Sequence, residues 1–138
     1  MTMTTDFSSA RKPTVLLADD ESAITLLFEM DLTRRGYCVL QAHSGSEAGK
    51  ISAEFPTTID ILVTDWRMPD LSGDELARRL LLERPEIKII VMSGHPDAAD
   101  AIDSFAKDQA LFIRKPFSPA RLVSTINQLL NLPDKPDE

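Results

Sequence analysis

Five short apolar runs, each followed by a segment whose apolar residues recur at helical spacing, constrain this chain more than any other feature. The runs are Thr14-Val15-Leu16-Leu17-Ala18, residues 37–42, Ile59-Asp60-Ile61-Leu62-Val63-Thr64, residues 87–92 and Ala110-Leu111-Phe112-Ile113. Each is short enough for a buried strand. Strands that alternate with helices call for crossover connections, so the pattern predicts an α/β domain built on a parallel sheet.

The intervening segments read as helices with recognisable ends. Ile24, Leu27, Phe28 and Leu32 mark the first, which Gly36 stops. Ser44 is the expected N-cap of a second, carrying Ala48 and Ile51 and broken near Pro56. The stretch 74–80 opens with Asp74 and Glu75, which suit the positive end of a helix dipole, and Pro85 closes it. A further helix is expected over residues 97–107. Ser118 should cap the last, with Leu122, Val123, Ile126, Leu129 and Leu130 as its apolar stripe. Residues 14–130 then form the domain, and the polar residues 1–13 and the proline-containing, charged residues 131–138 are expected to be disordered tails.

A length of 138 residues, 43% hydrophobic and 27% charged, suits one globular domain and leaves no room for a second, so no output domain is expected after the last helix. The formal charge of −7, without a run of Lys and Arg interleaved with aromatics, argues against direct nucleic-acid binding. The single cysteine, Cys38, excludes an intrachain disulfide and a multi-cysteine metal site, and its apolar neighbours suggest a small buried hydrophobe. No stretch is long and apolar enough to span a bilayer, so membrane insertion is not expected and the location inferred is cytoplasmic.

In a parallel α/β sheet, ligands bind beyond the carboxyl ends of the strands. The residues found there are Asp19-Asp20-Glu21 after the first strand, Asp65 after the third, Ser93 after the fourth and Lys115-Pro116 after the fifth. Singly, each has a structural explanation: a helix cap, an Asx-turn, a loop hydroxyl, a solvated charge. Together they place several carboxylates, a hydroxyl and one ammonium on one rim. Carboxylates a few ångströms apart repel, and one lysine leaves negative charge over, so a divalent cation is expected. Oxygen ligands without Cys or His favour Mg²⁺ over zinc. Such a rim suits phosphoryl transfer: cation and Lys115 screen the incoming group, Asp65 attacks phosphorus in line, and Ser93 donates a hydrogen bond to a phosphoryl oxygen.

These residues, in this order, resemble the receiver domain of bacterial two-component response regulators. The resemblance spans about residues 14–130 and rests on Asp19-Asp20, on Asp65-Trp66-Arg67-Met68-Pro69 with Ser72-Gly73, on Val91-Met92-Ser93-Gly94 and on Lys115-Pro116-Phe117. It implies a flavodoxin-like (βα)5 fold with a five-stranded parallel sheet in the order 2-1-3-4-5. It also implies that Asp65 is the phospho-acceptor and that Mg²⁺, or Mn²⁺ in its place, is held by Asp19, Asp20, Asp65 and the backbone carbonyl of Arg67. The implied donor is a phosphohistidine on a histidine kinase or a histidine phosphotransfer protein. The implied output is a downstream protein bound at the face made by the fourth helix, the fifth strand and the fifth helix. In the family a strand-four hydroxyl and a strand-five aromatic form the switch, here Ser93 and Phe112. Arg67 and His95 are candidates for tuning the lifetime of the phosphoryl group. The resemblance fits a stand-alone regulator, a phosphorelay intermediate or the receiver of a hybrid kinase.

Two other classes compete. An Mg²⁺-dependent phosphatase with an Asp nucleophile needs a second Asp two residues later, where this chain has Arg67. A flavodoxin-type electron carrier needs a Ser/Thr/Gly-rich phosphate loop after the first strand, where Asp19-Asp20-Glu21 would repel a flavin phosphate.

Overall fold

The computed structural model describes residues 12–106 and 108–133. The chain runs β1 (Thr14–Ala18), α1 (Ser22–Arg34), β2 (Cys38–Ala42), α2 (Gly45–Glu54), β3 (Ile61–Asp65), α3 (Gly73–Glu83), β4 (Lys88–Ser93), a 3-10 segment (Pro96–Ser104), β5 (Ala110–Arg114) and α4 (Pro119–Leu130). All strand pairs are parallel, in the order β2-β1-β3-β4-β5, as the resemblance implied.

Alternation along the strands divides the core into two layers. Val15, Leu17, Ile61, Val63, Ile90, Met92 and Ile113 face Phe28 and Leu32 of α1 and Leu122, Val123, Ile126 and Leu129 of α4. Leu16, Ala18, Leu62, Ile89, Val91 and Ala110 face Ala48 of α2 and Leu76, Ala77 and Leu80 of α3. Burial on both faces explains why the strands read as continuous apolar runs.

The helix ends follow from local chemistry. Ser44 accepts the amide of Glu47, and Ser118 that of Arg121. Gly36, at φ +101°, takes the left-handed turn that releases the chain from α1. Asn131, at φ 56°, closes α4 the same way. The buried Tyr37 hydroxyl donates to the buried Asn127 side chain, tying the approach to β2 to the end of α4.

Several sequence expectations are corrected. The helix expected over 97–107 is a 3-10 segment at Pro96–Ser104; Lys107, the end of that span, lies outside the described residues. Asp97, Asp100 and Asp103 recur every third residue and are exposed, a spacing that suits three residues per turn rather than 3.6, and Ala98 is fully buried beneath them. Cys38 is exposed, because β2 is an edge strand and its first residue faces solvent. Leu27 is 56% exposed, and the buried face of α1 is Thr25, Phe28 and Leu32. Thr25 tolerates burial because its hydroxyl donates to the Ser22 carbonyl. The strands beginning at Tyr37, Ile59 and Ile87 start one or two residues later, and β3 and β4 run on to include Asp65 and Ser93. The expected tails lie outside the described residues, apart from 12–13 and 131–133. Among the described residues no helix is long and apolar enough to cross a membrane.

Candidate acceptor site at the carboxyl ends of the strands

Parallel register places the chemistry. Asp65, the last residue of β3, pairs with Met92, and Ser93, the last of β4, pairs with Arg114, so β1, β3, β4 and β5 all end on one pole of the sheet. Asp19 follows β1 directly, and its amide donates to Ala42 at the end of β2. Its carboxylate is fully buried: Oδ1 accepts from the Glu21 amide at 2.9 Å and Oδ2 from Lys115 Nζ at 3.0 Å. Asp20, its neighbour, is exposed. Lys115 also lies 3.5 Å from Asp65 Oδ1 and 3.7 Å from Glu21 Oε1. The Lys115–Pro116 peptide is cis.

Carboxylate oxygens of Asp19, Asp20 and Asp65 all lie within 4.8 Å of one another. Three carboxylates against one ammonium leave a net negative site. The effect appears at Asp65: burial pushes its pKa up, the Lys115 ammonium works against that, and the Asp19 and Asp20 charges push it further up. Burial alone would lower Lys115, but the hydrogen bond to Asp19 and the charges of Asp19, Asp65 and Glu21 hold its pKa above the ordinary lysine value. The donor set is hard oxygen, acidic and open on the Asp20 side, and these residues fit a magnesium-type cation.

Ser93 is 3% exposed, and its Oγ accepts the His95 amide at 2.9 Å, so the hydroxyl oxygen is turned toward its own loop. The Ser93 carbonyl in turn accepts the Lys115 amide at 2.9 Å, joining the ends of β4 and β5. Arg67 is exposed, with its guanidinium 4.8 Å from the centre of the Trp66 ring. His95 is exposed on the loop after β4. Phe112 is half-buried and packs with Ile102 and Phe105 against the second core. The structure thus gathers Asp19, Asp20, Asp65 and Lys115 into one cluster, while Phe112 lies on β5, packed against the second core.

The loop after Asp65 is tightly built. The Gly73 amide donates to the Trp66 carbonyl at 2.7 Å, and a Cβ at Gly73 would stand 2.2 Å from the Asp65 carbonyl oxygen, so only glycine fits. Sequence reasoning missed Asp70, whose Oδ1 accepts the Gly45 amide at 3.0 Å and whose Oδ2 accepts the Ser46 amide and hydroxyl at 2.9 and 2.6 Å. These bonds, the Ser46 hydroxyl foremost, draw the Asp70 pKa down to about 2. Its partners lie 24 and 25 residues away, and no local pattern announces them.

Comparison with known proteins agrees with this geometry. The family model described as "Response regulator receiver domain" matches residues 15–127. The chain is 38% identical over 130 residues to "Sensor kinase CckA" of Brucella abortus (strain 2308), a match covering 94% of this chain but 14% of that protein. Other curated relatives are likewise longer, and the chain spans about half of the response regulator GtcR of Aneurinibacillus migulanus. Among solved structures, the fold superposes on a response regulator receiver domain protein from Clostridium thermocellum with a TM-score of 0.76 and 34% identity, covering 86% of this chain and 94% of that one. A response regulator receiver protein from Sinorhizobium medicae WSM419 gives 0.78 and 33%, covering 88% and 97%. With the sheet order, the acidic pole and the family match in agreement, the chain belongs to the response regulator receiver domain family.

Proposed function

We propose that Asp65 accepts a phosphoryl group from a phosphohistidine of a histidine kinase or a histidine phosphotransfer protein, in the cytoplasm, and that the change alters a protein-binding face. The observation that carries this reading is the convergence of the Asp19, Asp20 and Asp65 oxygens with Lys115 on one pole of the sheet.

In the transfer, an Asp65 carboxylate oxygen bonds to phosphorus as the bond from phosphorus to the donor imidazole nitrogen breaks. The products are an acyl phosphate on Asp65 and a free histidine, which recovers its proton from solvent. Mg²⁺, when bound, supplies charge neutralisation for the phosphoryl oxygens, and Asp19, Asp20, Asp65 and the Arg67 carbonyl would hold it. The Lys115 ammonium, kept charged by Asp19, stabilises a phosphoryl oxygen as Asp65 loses its negative charge. Asp19, buried and doubly hydrogen-bonded, fixes where that ammonium sits.

Ser93 then exchanges its role. Its oxygen accepts the His95 amide before transfer, and a turn about χ1 lets the hydroxyl donate to the new phosphoryl oxygen instead. That turn frees the loop leading into Pro96–Ser104, and the inward movement of Phe112 propagates the change to the face of the 3-10 segment, β5 and α4, where a downstream protein binds. Arg67 and His95, both exposed and each two residues beyond a residue of the rim (Asp65 and Ser93), set how readily water attacks the acyl phosphate. The protein in this reading is a signalling phospho-acceptor that assists its own phosphorylation and dephosphorylation.

Intact-mass measurement after incubation with acetyl phosphate tests this. One added phosphoryl group in the presence of Mg²⁺, and none with chelator or in Asp65→Asn, is expected. An unmodified native chain would overturn the reading.

A further inference from the structure

The β3–α3 loop is closed at its base and fastened at its tip. At the base, Gly73 donates to the Trp66 carbonyl and lies against the Asp65 backbone. At the tip, Asp70 reaches the N-terminus of α2, while a Cβ added to Gly45 would come within 2.5 Å of the Leu71 Cβ, so the two backbones meet closely. The first turn of α2 has amides with no partner inside the helix. Ser44 takes that of Glu47, and the Glu47 carboxylate accepts the amide of His43, the residue before the cap, at 2.6 Å. Asp70 takes the amides of Gly45 and Ser46, the first two residues of the helix, which the Ser44 cap leaves. Asp70 is exposed, so core packing does not hold it there; its three hydrogen bonds and the positive end of the α2 dipole do.

Between base and tip lies Arg67, whose carbonyl completes the ligand set under the reading above, on which this inference rests. We propose that Asp70 is a positioning residue for the acceptor site: by clamping the 66–72 loop to α2, it holds the Arg67 carbonyl and the Asp65 backbone in the arrangement that a bound divalent cation requires. The backbone is thereby preorganised, and its ordering is not left to be met by the binding free energy of the metal.

The test uses the whole chain. Trp66 is the single tryptophan and adjoins Asp65, so its fluorescence follows an MgCl₂ titration. Amide hydrogen exchange of residues 66–73, measured in EDTA, reads the clamp without any metal. In Asp70→Ala, the expected results are a roughly 10-fold weaker apparent Mg²⁺ affinity, the scale seen when outer partners of metal ligands are removed, and faster exchange across 66–73. Asp70→Asn, which keeps an acceptor oxygen, should fall between Asp70→Ala and the native chain. Ser46→Ala, which removes the 2.6 Å bond, should shift both readouts the same way. A folded Asp70→Ala chain with native Mg²⁺ affinity and native exchange at 66–73 would overturn the clamp. If Asp70→Ala does not fold, native behaviour of both Asp70→Asn and Ser46→Ala decides against it equally. A native chain that does not respond to Mg²⁺ would sink the site reading as well, so the two failures are distinguishable.

Discussion

Replacing Asp65 by asparagine should stabilise the metal-free protein while abolishing its chemistry. Asp65 has carboxylate neighbours at Asp19 and Asp20 with oxygens within 4.8 Å, and at an effective dielectric near 20 each such pair repels by about 3 kcal/mol. The Lys115 ammonium, 3.5 Å from Asp65 Oδ1, returns about 5 kcal/mol on the same scale. The opposing contributions nearly cancel, and partial burial of the carboxylate tips the balance toward destabilisation, in keeping with the raised Asp65 pKa. Solvent around Asp20 screens part of the repulsion, which leaves a gain for Asp65→Asn of about 1–2 kcal/mol. The sign fixes the pH window. Because the folded-state pKa is raised above the ordinary 3.8, the ionised carboxylate disfavours the fold, and stability falls as pH climbs from about 3.8 through the higher folded value. The advantage of Asp65→Asn should therefore be absent below about pH 3.8 and reach its full size once Asp65 is ionised. Urea unfolding in EDTA across this range measures it, and a Tm increase of roughly 2–8 °C at neutral pH is the thermal counterpart. Adding MgCl₂ should narrow the difference, since the cation stabilises the native cluster more than the substituted one. An Asp65→Asn chain no more stable than the native one in EDTA at neutral pH would refute the reasoning.

Three other perturbations follow from the same contacts. Lys115→Met removes the ammonium that pairs with the fully buried Asp19 carboxylate and should cost about 2 kcal/mol, read as a lower urea midpoint, with phosphorylation by acetyl phosphate greatly slowed. Gly73→Ala drives a methyl to 2.2 Å from the Asp65 carbonyl oxygen; the loop must move, at about 1–3 kcal/mol by the same unfolding assay, with weakened Mg²⁺ response. The Asp70 carboxyl should titrate near 2 by NMR, with its contribution present above about pH 3.8 and lost as pH falls toward 2; amide protection at Gly45 and Ser46 should fade in the same window.

Much of the fold was legible because buried parallel strands leave an unmistakable mark: runs such as Thr14-Val15-Leu16-Leu17-Ala18 have no other comfortable home. The rim was legible for a related reason, since Asp19, Asp65, Ser93 and Lys115 each stand where an apolar run ends. Periodicity failed where it was degenerate. In α1 the residues Leu26, Leu27, Phe28, Met30 and Leu32 surround the helix with apolar side chains, and pattern alone could not tell that Thr25, not Leu27, faces the sheet. Cys38 misled because its neighbours are apolar, whereas its exposure depends on β2 lying at the edge, a property of strand order and not of local sequence. The 96–104 segment was misread because alanines and a single isoleucine at mixed spacing carry little signal against three aspartates at intervals of three. Asp70 was invisible for a different reason: its clamp joins residues that only the completed fold brings together.

The central claim is that Asp65 itself carries the phosphoryl group. An acyl phosphate is reduced by borohydride to an alcohol, which converts a phosphorylated aspartate to homoserine while leaving free carboxylates untouched. Peptide mass spectrometry of the Mg²⁺ and acetyl phosphate reaction, after borohydride treatment, should find homoserine at position 65 and nowhere else, with none when Mg²⁺ is withheld. Homoserine at Asp19 or Asp20, or none at position 65 in a folded native chain, would contradict the account.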